Sequence, residues 1–247
     1  MLALCVKNER FRKGIAMERQ ELLFVQDERV KSVFYRVYGW MSLALIITGT
    51  VAYSCATSLY AMRILFNTPY LFVSLVFAGF VIASFFSYRL PRLSYTTALI
   101  TFMAYALLSG VTLSAVAFLY EPVSIMSTLL ITAGMFGITA LYGYSTDADL
   151  SSIGSALYMA LAGIILSFLV NSLWLHSSGF NFMISCMGVL VFSALTAYDT
   201  YKIKQYALNI VHNEEYAKVA LRGAFELYLD FVNLFLYLLR IAGKRKR

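Results

Sequence analysis

The sequence predicts an all-α membrane protein, a bundle of seven transmembrane helices, on three observations. Of its 247 residues 60% are hydrophobic and 13% charged, with a mean hydropathy of +0.73, whereas a soluble domain carries about 25% charged residues. Between Arg92 and Lys202 there is no Lys or Arg, and the acids before Asp199 in that stretch are Glu121, Asp147 and Asp149. The apolar residues fall into runs of the length that spans a bilayer, since about 20 residues at a rise of about 1.5 Å cross a hydrocarbon core of about 30 Å. No water-soluble fold hides that much apolar surface, so the solvent is lipid.

Seven runs qualify: Tyr38–Leu59, Tyr70–Tyr88, Thr97–Tyr120, Val123–Tyr144, Ile153–Leu175, Phe180–Tyr198 and Ala220–Ile241. They divide the chain into a basic N-terminal segment (1–37), a membrane domain (38–241) and a basic C-terminal tail (242–247). Pro69 and Pro122 stand where helices open, since a first-turn residue needs no N–H, and Pro91 marks the turn after the second run. Asp149 before Leu150-Ser151-Ser152 reads as a helix start. Tyr38, Tyr70, Tyr88, Tyr120, Tyr144 and Tyr198 sit at run ends, where an amphipathic ring has one wet and one dry side. Small residues at Gly134, Gly137, Ala156, Ala160 and Gly163 are candidates for close helix approach.

Cys5, Cys55 and Cys186 are far apart and form no CxxC pair, and His176 and His212 are isolated. Neither a disulfide framework nor a zinc site is expected. No short basic leader precedes the first apolar run. The basic residues gather at the termini and in certain loops, where they read as topology signals and lipid contacts, so the expected partner is the bilayer and not a nucleic acid. Eight Lys and Arg precede the first run, Arg89 and Arg92 follow the second, and Lys202, Lys204 and Lys218 follow the sixth, while the loops after the third and fifth runs have none. A cytoplasmic N-terminus fits every loop. Seven crossings then leave Lys244–Arg247 outside, against the rule, unless the last segment re-enters without crossing.

Ionisable residues within apolar helices are functional hypotheses, because a charge at the bilayer centre costs about 2.5 to more than 10 kcal/mol. Glu226, Asp230, Asn233, Tyr237 and Arg240 follow one another at intervals of four, three, four and three, which places them on one helical face. Asp199 ends the sixth run, with Ser193 and Thr196 on the same face. With the N-terminus inside, Asp199, the start of the last run and Arg89 or Arg92 all lie toward the cytoplasmic side. Two carboxylates in a poorly solvated site cannot both ionise cheaply and titrate as a unit, and carboxylate oxygens are hard ligands suited to Ca²⁺. The competing reading makes Asp199 an interfacial residue paired with Lys202 one turn on. Asp230 sits about ten residues, or about 15 Å, into its run, so the two acids meet only if the sixth helix outlasts its apolar run or the seventh begins later.

At these residues the chain resembles the Bax inhibitor-1 family, the Bax-inhibitor-motif membrane proteins. The resemblance is carried by Leu195-Thr-Ala-Tyr-Asp-Thr-Tyr-Lys-Ile-Lys204 and by Phe225-Glu-Leu-Tyr-Leu-Asp-Phe-Val-Asn-Leu-Phe-Leu-Tyr-Leu-Leu-Arg240. Val33-Phe-Tyr-Arg-Val-Tyr-Gly-Trp40 and Thr146-Asp-Ala-Asp-Leu-Ser151 add to it, and it covers roughly residues 30–243. It implies a seven-helix fold with the last helix central. It also implies a pH-sensitive calcium leak gated by a di-aspartyl pair, here Asp199 and Asp230, and an arginine latch, here Arg92 or Arg89. Glu226 and Asn233 are secondary polar positions beside the pair. Many relatives carry Glu where Ser109 stands. No cofactor is expected; calcium is the transported ion, and a bacterial cytoplasmic (inner) membrane is the expected location. Two other functions compete. One is a membrane stress regulator or protease modulator without transport, whose protein partners the sequence does not name. The other is an intramembrane aspartyl protease, against which stands Leu227-Tyr-Leu-Asp230 in place of Gly-x-Gly-Asp. An enzyme is therefore not expected.

Overall fold

The structure is a computed structural model that describes the backbone of residues 2–89, 93–209 and 213–246, with side chains from residue 26 onward except at 69, 87 and 213–215. The described chain forms α1 (Leu2–Thr57), α2 (Leu59–Asn67), α3 (Pro69–Arg89), α4 (Tyr95–Leu119), α5 (Pro122–Ser145), α6 (Ser151–Val170), a π-helical turn (Asn171–Leu175), α7 (Ser178–Asn209) and α8 (Asn213–Ala242). No strand occurs among the described residues; there is an isolated antiparallel bridge between Tyr120 and Arg245.

The outer faces are apolar. Ile138 is 70% exposed, and Leu130, Leu141, Met159, Leu166 and Leu190 are comparably open. Leaving such a side chain in water forfeits about 1.5–3 kcal/mol; in hydrocarbon there is nothing to forfeit. Buried polar groups meanwhile lie inside, among them Thr128, Thr132, Thr196, Thr200, Asp199 and Asp230. Among the described residues five helices are long and apolar enough to cross a bilayer, within Gln26–Thr57, Tyr95–Leu119, Pro122–Ser145, Ser151–Leu175 and Ser178–Asn209. The run expected at Tyr70–Tyr88 belongs to a bent pair, Leu59–Asn67 and Tyr70–Phe86, with 90° between its halves. The chain is an integral, multi-pass membrane protein. Helix α8 is 30 residues long but is not among the apolar five, because Arg222, Glu226, Asp230 and Arg240 interrupt it.

Three helices outrun their apolar segments, each because its buried stripe continues. In α1, Val30, Val33, Phe34, Val37, Met41 and Ala44 are buried at helical spacing, so packing begins well before Tyr38 and no break separates the basic segment from the membrane domain. In α7, Ile203 and Ala207 extend the stripe of Leu195, Thr196 and Asp199, and the helix runs ten residues past Asp199. In α8, which begins at Asn213, the partly buried Tyr216 and Val219 pack against the core ahead of the run expected from Ala220.

Helix α8 packs against α1, α4, α5 and α7. Phe225 meets Phe86, Phe102 and Tyr105 edge-on at 4.6, 5.4 and 5.3 Å, joining α3, α4 and α8. Thr48 Oγ1 donates to the Ala106 carbonyl at 2.9 Å and lies 2.8 Å from the Tyr228 hydroxyl. Its one proton being used, Thr48 accepts from Tyr228, and the pair ties α1, α4 and α8 without leaving a buried hydroxyl unpaired. The other end of α8 is tied as well. Glu121 N donates to the Lys244 carbonyl at 3.0 Å, Lys246 N to the Leu119 carbonyl at 2.9 Å, and Lys244 N to Ser124 Oγ at 2.9 Å. The tail therefore lies on the α4–α5 turn, so that α8 runs antiparallel to α5 along the depth of the bundle.

After α6 the π-helical turn is closed by Asn171, whose side chain accepts from Ser177 N at 3.0 Å and donates to the Ser177 carbonyl at 3.2 Å. His176 adopts a left-handed φ of 49° there and its amide donates to the Asn171 carbonyl at 2.8 Å. His176 ends a helix; His212 lies outside the described residues.

The glycines at close helix contacts differ from those expected. A Cβ on Gly134, Gly137 or Gly163 would meet nothing within 4 Å, because these positions do not face a neighbouring backbone. Three close approaches involve α7: a Cβ on Gly143 would run into the Ala197 carbonyl, one on Gly154 would fall 2.5 Å from the Tyr198 ring, and one on Gly188 2.6 Å from the Tyr237 ring. Each brings α5, α6 or α8 against α7. Gly143→Ala is expected to destabilise the protein by about 1–3 kcal/mol, since backbone cannot step aside as a side chain can, while Gly134→Ala leaves the melting temperature in detergent unchanged or raised. Equal melting of the two variants would show that α5 and α7 are not in backbone contact.

Candidate functional site

Among the described residues, the buried charged side chains Asp199 and Asp230 lie at the contact between α7 and α8. Asp199, 5% exposed, lies on α7 one turn before Lys202, and the ammonium donates to Asp199 Oδ1 at 2.9 Å. The same Nζ lies 3.0 Å from Glu226 Oε2 on α8, a charge contact without hydrogen-bond geometry. Arg222, one turn earlier on α8, donates through Nε to Glu226 Oε1 at 3.0 Å. Two intrahelical spacings, i to i+3 in α7 and i to i+4 in α8, are thus joined across the helices by Lys202 and Glu226. Side-chain exposures of 7% for Asp199, 13% for Lys202 and 14% for Glu226 place this chain largely out of solvent.

Two rings complete the surroundings of the lysine. The Tyr158 hydroxyl of α6 lies 3.4 Å from Lys202 Nζ, and the Tyr198 ring lies under the ammonium at 5.5 Å. Gly154 makes room for Tyr198, which stands edge-on to Tyr158 at 6.2 Å. Next along α7, Lys204 donates to the Tyr144 carbonyl at 2.7 Å and so caps the last turn of α5.

Asp230 lies one turn beyond Glu226 on the same face of α8 and is 4% exposed. Its Oδ2 has no hydrogen-bond partner. Ser193 Oγ and Thr200 Oγ1 on α7 are buried and unpartnered too. An unpaired buried carboxylate oxygen is expensive, so this is where the bundle departs from simple packing.

The expected polar face of α8 divides in two. Glu226 and Asp230 join the charge cluster. Asn233 turns back to donate to the Leu229 carbonyl at 2.8 Å, Tyr237 stacks on Phe192 at 5.7 Å, and Arg240 covers the Phe168 ring at 4.9 Å. These three serve packing. Of the expected latch residues, Arg89 is exposed with its guanidinium 5.4 Å over the Phe85 ring, and Arg92 lies outside the described residues. The basic groups at the carboxylates are instead Lys202 and Arg222. Arg222 was missed by sequence reasoning, although its i to i+4 spacing to Glu226 was there to be read. Among the described residues no three carboxylate, imidazole or thiol side chains converge as a metal-ligand set.

At the same end of the bundle Asp149 accepts from the Ser151 amide at 2.9 Å and from the Ser151 hydroxyl, an Asx-type turn. It also accepts from Tyr201 of α7 at 3.2 Å. It thus starts α6, as expected, and ties the α5–α6 turn to α7.

A multi-pass helical bundle with a buried ion-pair chain between its last two helices is the class these features define. The family model described as "Inhibitor of apoptosis-promoting Bax1" matches residues 30–247, and the chain belongs to this Bax inhibitor-1 family. It is 43% identical over 213 residues to the inner membrane protein YbhL of Escherichia coli K12, covering 85% of this chain and 91% of that one. It is 40% identical over 220 residues to an uncharacterised Rickettsia prowazekii protein, RP147 (89% and 92% covered), and 38% identical over 234 residues to an uncharacterised protein of Borreliella burgdorferi (94% and 98%).

Two outcomes follow from the geometry. Asp230→Asn replaces a buried carboxyl whose Oδ2 has no hydrogen-bond partner and is expected to leave the melting temperature unchanged or higher, whereas Asp199→Ala strips Lys202 of its hydrogen-bonded partner and costs about 3 kcal/mol; the reverse ranking in thermal unfolding would contradict the pairing described. The Ser151 hydroxyl, then its amide, then the Tyr201 hydroxyl hold the Asp149 carboxyl below its ordinary value. A depressed folded value stabilises above the unfolded value of about 3.9 and is lost as pH falls through the folded one. Amide exchange at residues 147–151 should therefore accelerate below about pH 4 in the wild type and not in Asp149→Asn.

Proposed function

We propose that the protein is a passive, pH-sensitive cation leak of a bacterial cytoplasmic membrane, with calcium as its ion and with Asp199 and Asp230 as the pair that binds the ion and responds to protons. The observation that carries this reading is Asp230: a carboxylate 4% exposed, with an unpartnered oxygen, beside an ion-pair chain inside an apolar bundle. Stability alone does not favour such a group. Carboxylate oxygens suit Ca²⁺, and a coupled set of acids takes up protons as a unit. Family membership supports a channel-like role, and the inner-membrane relative supports the location.

The reading includes seven crossings with α8 as the axis. The α2–α3 pair supplies one crossing and α8 the last, and the docking of the tail on the α4–α5 turn supports a full traverse by α8. With the N-terminus in the cytoplasm, the carboxylates lie toward the cytoplasmic end and the tail lies outside. Its basic residues there are engaged, Arg245 over the Tyr120 ring at 5.8 Å and Lys246 donating to the Ala117 carbonyl at 3.2 Å. This favours a traversing last helix over a re-entrant one.

Purified protein in liposomes loaded with a calcium indicator is the test. Calcium flux is expected to vary with pH, and the double variant Asp199→Asn, Asp230→Asn to lose about 90% of it, the order of tenfold expected when one strong ion contact is removed. Flux in the double variant that equals wild type at every pH would sink the proposal.

A further inference from the structure

The end of the bundle where α8 finishes is cationic and almost without acids. Arg63 on α2, Arg240 in the last turn of α8, and Lys244, Arg245 and Lys246 of the tail are exposed there. The sequence places a single carboxylate at this end, Glu121, since residues 29–120, 150–198 and 231–247 contain none. None of these five cations makes an ion pair among the described residues.

The packing fixes where the cations stand. Backbone hydrogen bonds lay the tail antiparallel to residues 119–121. Arg245 thereby covers the Tyr120 ring at 5.8 Å, and the Lys246 ammonium stands 6.0 Å from the Phe118 ring and donates to the Ala117 carbonyl at 3.2 Å. Phe118 also meets Phe66 of α2, with ring centroids 5.4 Å apart, so α2 and the tail converge on one ring. Arg63 precedes Phe66 by three residues and shares its side of α2. Phe66, Phe118 and Leu119 are exposed, and an apolar surface therefore adjoins the cations. Helix α2 stands at 90° to α3 and exposes Leu59, Tyr60 and Ile64, the disposition of a helix lying in the interfacial plane with its arginine reaching to the headgroups.

A ligand that is anionic at one end and apolar at the other matches both halves of this surface. Cations at the rim of the hydrocarbon attract anionic headgroups, and phosphate oxygens are good acceptors for guanidinium and ammonium donors. A second copy of the chain would bring the same positive charge to the contact, and a soluble anion would leave the apolar half uncovered.

We infer that this end of the bundle binds an anionic phospholipid, its phosphodiester met by Arg63 of α2 and Lys246 of the tail and its acyl chains lying along Phe66, Phe118 and Leu119. The site stands apart from the carboxylates of α7 and α8 and does not depend on the cation-leak reading.

Native mass spectrometry of the full chain in detergent, titrated with phosphatidylglycerol or with phosphatidylcholine of the same chain length, tests it. Wild type is expected to hold phosphatidylglycerol about tenfold more tightly than phosphatidylcholine. Arg63→Gln and Lys246→Gln are each expected to weaken phosphatidylglycerol by about fivefold, the share of one basic residue at a membrane surface. Lys246→Arg, which keeps the charge, is expected to bind as wild type does, and so is Lys31→Gln, toward the opposite end of α1. Equal affinity for the two lipids, or phosphatidylglycerol binding unchanged in both Gln variants, overturns the site. A loss in Lys246→Arg as deep as in Lys246→Gln overturns its basis in charge, and an equal loss in Lys31→Gln overturns its location. Displacement of the lipid by millimolar inorganic phosphate overturns the lipid in favour of a soluble anion, and a lipid-free dimer that Lys246→Gln dissociates overturns it in favour of a second copy.

Discussion

The chain of charges from Asp199 through Lys202 and Glu226 to Arg222 sets what the rest of the bundle must do. In a low-dielectric interior an ion pair is strong once made and ruinous when half made, so the helices that carry it must be held in register. Gly154 and Gly143 serve that end by letting α6 and α5 close on α7, and Tyr198 and Tyr158 fill the space so gained with rings that tolerate a cation. The aromatic cluster of Phe86, Phe102, Tyr105, Phe225 and Tyr228 fixes the other side of α8. Close packing by small residues and rings replaces the hydrophobic effect, which gives helices no reason to associate inside lipid.

Within this frame the site is more than a plain structural salt bridge. Lys202 and Arg222 compensate Asp199 and Glu226, and Asp230 is left over. That leftover carboxyl, with its unpartnered oxygen, sets the site apart from an ion-pair network closed upon itself. The unpartnered hydroxyls of Ser193 and Thr200 extend the polarity along α7 on either side of the carboxylate at 199.

The class of fold was legible from composition and from the length of the apolar runs, because lipid as solvent imposes both. Asp230 was legible too, since a polar stripe at helical spacing on an apolar helix has one sensible destination. Helix ends were less so. α7 continues past Tyr198 because Ile203 and Ala207 are buried, and hydropathy averaged over a run does not register two apolar residues spaced among Lys, Gln and Tyr. The start of α1 was hidden by the same effect, its buried Val30, Val33 and Val37 lying among charged neighbours. The partners of the acids were half visible. The i to i+3 spacing of Asp199 and Lys202 can be read from the chain, but the bridge from Lys202 to Glu226 depends on how α7 and α8 pack, which no local pattern encodes. The choice of glycines was misjudged for a related reason: small residues lie on many faces, and only the three-dimensional arrangement decides which face another helix.

The docking of the tail on the α4–α5 turn has a mechanical consequence. A helix held by hydrogen bonds just beyond its last turn is a rod hinged at one end, so α8 cannot slide along its axis as a piston without breaking two backbone–backbone bonds and the bond from Lys244 N to the Ser124 hydroxyl. The displacements left to it are a swing about Gly243 and a twist about its own axis, and a swing grows with distance from Gly243, so Glu226, near the middle of the helix, is carried further than Asp230. The arrangement thus works as a lever, its fulcrum on one side of the bundle and its charged arm toward the other.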